Sequence, residues 1–138
     1  MALKDIGEGI GAIKLGLCNI REGLQDILKC SFFEGRLDIS KGVRDIEEGL
    51  RLIVGGLWDI RYDLTREDLR KILEGIRDIR EGIRDICEGL NDIMHYRRHE
   101  GIRDIREGIG DIEEGLGDIL KGLHDVFHCM CGVKKVCD

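Results

Sequence analysis

Ile76-Arg77-Asp78-Ile79-Arg80-Glu81-Gly82-Ile83-Arg84-Asp85-Ile86 is the stretch that decides the fold. Its apolar residues recur at alternating intervals of three and four, which places them along one stripe of an α-helix. The unit is a heptad. Position a is Ile or Leu, d is Ile, c is usually Asp, b is often Arg, f is often Glu and g is Gly.

Outward from this stretch the same spacing fills four blocks: Leu3 to Ile27, Ile39 to Leu64, Leu69 to Ile93, and Ile102 to Val126, with Met130 continuing the last. Blocks of equal length are what an antiparallel bundle needs, since every layer takes one residue from each helix. Ile at d with Ile or Leu at a shifts packing away from two strands and toward three or four. The expectation is an all-α, up-down-up-down antiparallel four-helix bundle with a heptad core and glycine at g. Its helices are placed at about 3–29, 32–63, 66–94 and 100–130, with a cysteine-containing tail at 131–138. The 138-residue chain is read as one helical-bundle domain.

The breaks between blocks carry their own signals. Ser31-Phe32-Phe33-Glu34 and Thr65-Arg66-Glu67-Asp68 both read as capping boxes, a hydroxyl followed three residues later by a carboxylate. The break from Met94 to Gly101 has no such cap, and the chain contains no proline. The alternative is that this segment stays helical and that fewer, longer helices assemble between chains.

Glycine precedes an a residue at Gly9, Gly16, Gly23, Gly42, Gly49, Gly56, Gly75, Gly82, Gly89, Gly101, Gly108, Gly115 and Gly122. Each costs about 1 kcal/mol against alanine in a helix interior. The offsetting term is close backbone approach, which gains dispersion and Cα–H···O contacts. The pattern resembles the small-residue-every-seven packing of tight antiparallel helix pairs, a packing motif that carries no function. Gly16, Gly23, Gly42, Gly49, Gly75, Gly82, Gly108 and Gly115 are its expected contact points. A bundle weakened by glycine also suits a surface-active protein that unfurls its apolar faces.

One region departs from the polar outer face. In Leu50-Arg51-Leu52-Ile53-Val54-Gly55-Gly56-Leu57-Trp58, the positions that should be polar carry Leu52, Val54, Gly55 and Trp58. Gly11, Ala12, Leu15 and Cys18 do the same in the first helix. Counting layers sets Ile13 and Ile53 at one height, so the two patches should be neighbours. Ala12, Leu15, Leu52, Val54, Gly55 and Trp58 are therefore the expected interface. Its occupant is a second copy, with an apolar ligand, a foreign partner or the tail as alternatives.

Charge and composition exclude several classes. The net charge is −6 and the signs are interleaved, so no basic surface exists for nucleic acid. No apolar run approaches the roughly 20 residues needed to span a bilayer. The N-terminus has no signal-peptide core. That places the protein inside the cell if Met1 is native, and outside if a signal was removed.

Six cysteines, Cys18, Cys30, Cys87, Cys129, Cys131 and Cys137, are disulfide candidates. Layer counting puts Cys30 near one end and Cys129, Cys131 and Cys137 near the other. It favours a bond within the tail and others between chains, with free thiols as the alternative. His124 and His128 lie at i,i+4 and are followed by Cys129 and Cys131, ligand types that suit zinc at a spacing no standard motif uses. His95 and His99 make a second i,i+4 pair, and surface histidines are the simpler reading of both. The core positions are aliphatic, with no inward carboxylate, histidine or nucleophile pair, and no cofactor is implied. The expected function is a non-enzymatic, self-assembling structural protein. A carrier of lipid or another apolar ligand and a metal-binding protein are the alternatives.

Overall fold

The computed structural model describes residues 2–124. The end of the fourth expected helix, His128 and the cysteines of the tail lie outside them. The described chain is four α-helices: α1 (Ala2–Leu28), α2 (Phe32–Ile60), α3 (Arg66–Met94) and α4 (Arg98–Gly122). A single 3-10 turn, Arg61–Asp63, follows α2, so the second helix ends earlier than its heptads suggest. No strand occurs among the described residues.

Helix formation follows from the apolar stripe. The isoleucines at d are the most deeply buried side chains, with Ile6, Ile13, Ile20, Ile39, Ile46, Ile53, Ile72, Ile79, Ile86, Ile105 and Ile112 all excluded from solvent. Residues at a are nearly as buried, but Val43, Leu24 and Ile109 keep a sliver of exposure. No polar or charged residue is buried among the described residues. α1 packs along α2 and α3 along α4, while contacts between the two pairs are far sparser. Between the pairs the buried apolar residues of all four helices form one cluster, and polar contacts join the pairs at the periphery. Arg21 pairs with Glu113, Arg98 donates to the Ile27 carbonyl at 3.1 Å, and Arg36 reaches the Met94 sulfur at 3.6 Å.

Both tight turns are built the same way. Cys30 (φ 69°) and Tyr96 (φ 66°) adopt the left-handed conformation that ends a helix. Ser31 N–H then donates to Asp26 O at 2.7 Å, and Arg97 N–H to Asp92 O at 2.8 Å, closing the orphan carbonyls. The Met94–Gly101 segment therefore does not run on as one helix, and breaks at His95, Tyr96 and Arg97. It lacks an N-terminal cap, but α3 is stopped from its C-terminal side. The capping-box expectation at Ser31 also fails. Its backbone (φ −91°, ψ 65°) is committed to the turn, and its side chain makes no cap hydrogen bond. Thr65 does cap, its Oγ1 accepting from Asp68 N–H at 3.0 Å.

Candidate functional site

The glycines set how the helices meet. A methyl group built at Gly16 would sit 2.5 Å from Gly42 O, one at Gly9 would sit 2.5 Å from Gly49 O, and one at Gly23 would sit 2.6 Å from Gly35 O. As numbers rise by seven in α1 they fall by seven in α2, so the pair is antiparallel in one register. In the second pair Gly82 faces Gly108, Gly89 faces Gly101 and Gly75 faces Gly115. Beside each glycine lies the Cγ1 of a partner d isoleucine, such as Ile46 at Gly16 and Ile112 at Gly82. Only hydrogen at Cα allows this approach. Gly35 belongs to the seam although Arg36, and not an apolar residue, follows it, and that departure hid it in the sequence. A methyl group built at Gly7, Gly11, Gly55, Gly110 or Gly117 meets nothing within 4 Å among the described residues, so these five take no part in the seam.

The two hairpins correspond position for position. Gly9, Gly16, Gly23, Gly35, Gly42 and Gly49 map at one constant offset onto Gly75, Gly82, Gly89, Gly101, Gly108 and Gly115. This makes each hairpin a control for the other. Position a faces the opposite pair, and d and g face the partner helix. Positions c and f therefore form the broad outer face of each hairpin.

On that face the hairpins differ. Asn19 Nδ2 donates to Asp45 Oδ2 at 3.1 Å across the first pair. One heptad away, in opposite directions along the two helices, stand Ala12 and Leu52, both half-buried. Leu15 is 45% exposed beside them, and Gly55 is open. The corresponding residues of the second hairpin are Asp78, Asp118, Glu81 and Lys121. Gly11 and Cys18 likewise stand where the second hairpin has Arg77 and Arg84.

The six expected interface residues are thus not one patch. Ala12, Leu15, Leu52 and Gly55 share the outer face of the first hairpin. Val54 turns toward α3, where with Glu47, Leu50, Arg51, Arg80 and Ile83 it lines an open groove of about 440 Å³. Trp58 lies on the flank of α2. The Arg61 guanidinium stacks 3.8 Å over its ring and 4.4 Å over that of Tyr62.

The outer face of the second hairpin holds a feature not anticipated from sequence, a seam of facing aspartates. Asp111 faces Asp85, and Asp104 faces Asp92. Lost solvation, then the Asp85 hydrogen bond and the charges of Asp85, Glu81 and Asp78, push the Asp111 carboxyl above its ordinary value. Asp104 is raised by lost solvation and then by Asp92. The signal was present as Asp at c in Asp78, Asp85, Asp92, Asp104, Asp111 and Asp118, but antiparallel register was needed to set like charges face to face.

Cys30 and Cys87 are exposed free thiols, and Cys18 is half-buried on α1. Lost solvation, then the charge of Glu47, push the Cys87 thiol above its ordinary value. His124 is exposed, and the other proposed metal ligands, His128, Cys129 and Cys131, lie outside the described residues. Cys129, Cys131 and Cys137 as disulfide candidates lie outside them too. Among the described residues no three His, Cys, Asp or Glu side chains converge on a metal position. His95 sits in the turn, its Nδ1 2.8 Å from Asn91 O, while His99 opens the next helix, so the two do not share a helical face. Among the described residues no helix is long and apolar enough to cross a membrane. The chain matches no protein-family model, and neither curated proteins nor solved structures give a match.

Proposed function

We propose that the protein is a non-enzymatic, self-assembling structural protein, an up-down-up-down four-helix bundle of heptad core whose glycines at g draw the helices into two tight pairs. A second copy docks on the outer face of the first hairpin. One observation carries the reading: Ala12, Leu15, Leu52 and Gly55 replace Asp78, Glu81, Asp118 and Lys121 at corresponding positions of otherwise matching hairpins. Charges tolerated at these positions in one hairpin are removed from the other, which leaves a low, apolar surface with glycine at its edge. Such a surface is self-complementary about a two-fold axis, where Leu15 of one copy packs on Gly55 of the next. An interior with no buried polar group among the described residues is consistent with a structural role.

The test exchanges the faces. Native mass spectrometry at two concentrations reads the assembly state of the parent chain and of the Ala12→Asp, Leu15→Glu, Leu52→Asp, Gly55→Lys variant. Because the second hairpin already carries those residues, the variant should fold. The expected result is an oligomer for the parent and a monomer for the variant. An unchanged mass in a helical variant would overturn the reading.

A further inference from the structure

The hairpin correspondence also relates the α1–α4 flank of the molecule to the α2–α3 flank, and the two are built differently. Arg98, at the start of α4, donates to the Ile27 carbonyl at the end of α1, and Arg21 pairs with Glu113 further along. α1 and α4 therefore run antiparallel side by side. Arg21 and Glu113 both occupy e, so positions e and b line this flank. Gly7 stands at e, and Gly11, Gly110 and Gly117 stand at b. A methyl group on any of these four would meet nothing within 4 Å among the described residues. The corresponding residues of the α2–α3 flank are Leu73, Arg77, Arg44 and Arg51. Cys18, half-buried at b, corresponds to Arg84. Long side chains fill one flank, and the other is a shallow trough with a cysteine in it.

The state of that cysteine is an independent observation. Cys18 is disulfide-bonded, whereas Cys30 and Cys87 are free thiols. The cysteines that remain are Cys129, Cys131 and Cys137. The Arg21–Glu113 pair sets His124 level with Ile10 and Leu116 level with Cys18. From the exit of α4 to Cys18 is then a climb of about 12 Å at 1.5 Å per residue, with a crossing of about 8–10 Å between neighbouring helices. The five residues from His124 to Cys129 span at most about 17 Å, and the seven to Cys131 about 24 Å. All three cysteines are within reach, the last two with slack.

We propose that residues 125–138 dock in the α1–α4 trough, held by a disulfide between Cys18 and a cysteine of that segment. The segment brings Val126, Phe127, Met130, Val133 and Val136, apolar side chains suited to a surface cleared of its own. The bond forms by exchange with a small disulfide such as oxidised glutathione. One cysteine thiolate attacks it and displaces a thiol, and the second cysteine attacks the mixed disulfide and displaces the other. The two cysteines are oxidised, and their two hydrogens and two electrons leave with the small disulfide as two thiols. The finished bond ties the first hairpin to the second. The inference is independent of self-association, which uses positions c and f of the first hairpin.

The test begins with the full chain, equilibrated with reduced and oxidised glutathione and alkylated at its free thiols. The single-chain band of a non-reducing denaturing gel is digested with trypsin and mapped by mass spectrometry. Cleavage after Lys and Arg releases Cys18 in residues 15–21, Cys129 and Cys131 in 122–134, and Cys137 in 136–138. The expected result is peptide 15–21 linked to one of the other two, with Cys30 and Cys87 alkylated. Docking is read separately, as the effective concentration of the two thiols in the glutathione equilibrium. The Gly11→Arg, Gly117→Arg double variant gives this trough the arginines of the opposite flank. Their length fills it, where alanine would leave it open. The effective concentration should fall several-fold while helical circular dichroism is kept. An alkylated Cys18, its linkage to Cys30 or Cys87, linkage between chains only, or an effective concentration unchanged in the double variant would each overturn the proposal.

Discussion

A single methyl group has opposite consequences at different glycines of this chain. At Gly16 it would lie 2.5 Å from a partner carbonyl and as close to Ile46 Cγ1, so α1 and α2 must part. Overpacking of this kind costs about 1–3 kcal/mol, and here it acts on backbone, which yields least. At Gly110 and Gly117 the same methyl meets open space, and helix propensity alone operates, a gain of about 1 kcal/mol each. Urea denaturation of Gly16→Ala and Gly117→Ala should therefore move the midpoint in opposite directions. Aspartate chemistry divides in the same way. Asp104 and Asp111 have folded values above the ordinary one, so the folded state holds their protons more tightly. Their contribution is favourable in acid and is lost as pH rises through the raised folded values. Asp85→Asn reproduces the Asn19–Asp45 arrangement of the first hairpin. It should raise the urea midpoint at pH 7 and flatten its decline between about pH 4 and 6, the region just above the unperturbed aspartate value. An undiminished decline would show that the seam does not set the pH response.

The elements themselves were largely legible, for a physical reason: a seven-residue period with isoleucine at d admits one burial solution. What was not legible is how elements end. Ser31 and Thr65 look alike in sequence, a hydroxyl three residues before a carboxylate, but only Thr65 caps. The preceding left-handed residue Cys30 had already fixed the backbone at Ser31. Likewise the Met94–Gly101 break is made by Tyr96, a residue type that gives no turn signal. The outer-face patch was half legible. Layer counting set Ile13 and Ile53 at one height and so made the two patches neighbours, but it could not separate Val54 and Trp58, which point to a groove and a flank. Two consequences belong to this scale. Cys30→Gly should stabilise the chain by about 1 kcal/mol, since glycine carries no left-handed penalty. Thr65→Ala should cost about 1 kcal/mol through loss of the Asp68 N–H partner. Thermal melts followed by circular dichroism would read both.

For the whole molecule, backbone meets backbone within each pair, while the two pairs meet mainly through side chains and a few peripheral bonds. The Arg21–Glu113 bridge has both side chains substantially exposed, and such pairs contribute about 0–1 kcal/mol. The weaker boundary is therefore the one between hairpins. Under mild denaturant the hairpins should separate before either loses its helices. An increase in binding of a hydrophobic dye, preceding the loss of helical circular dichroism, would report that order. A single coincident transition by both probes would count against it.

The glycine spacing also leaves each hairpin with more than one way to close. Slide α1 past α2 by one heptad and Gly16 meets Gly35 in place of Gly42, Gly9 meets Gly42, and isoleucine still lies against glycine. The teeth of this zip are interchangeable, and the glycines along its length do not by themselves mark the correct notch. That choice falls to three residues, Lys29, Cys30 and Ser31, whose turn is too short to let either helix shift. The same interchangeability means that a helix from one chain presents the mating edge that a neighbour's helix requires. The turn is thus the lock on alignment and the guard against partner exchange.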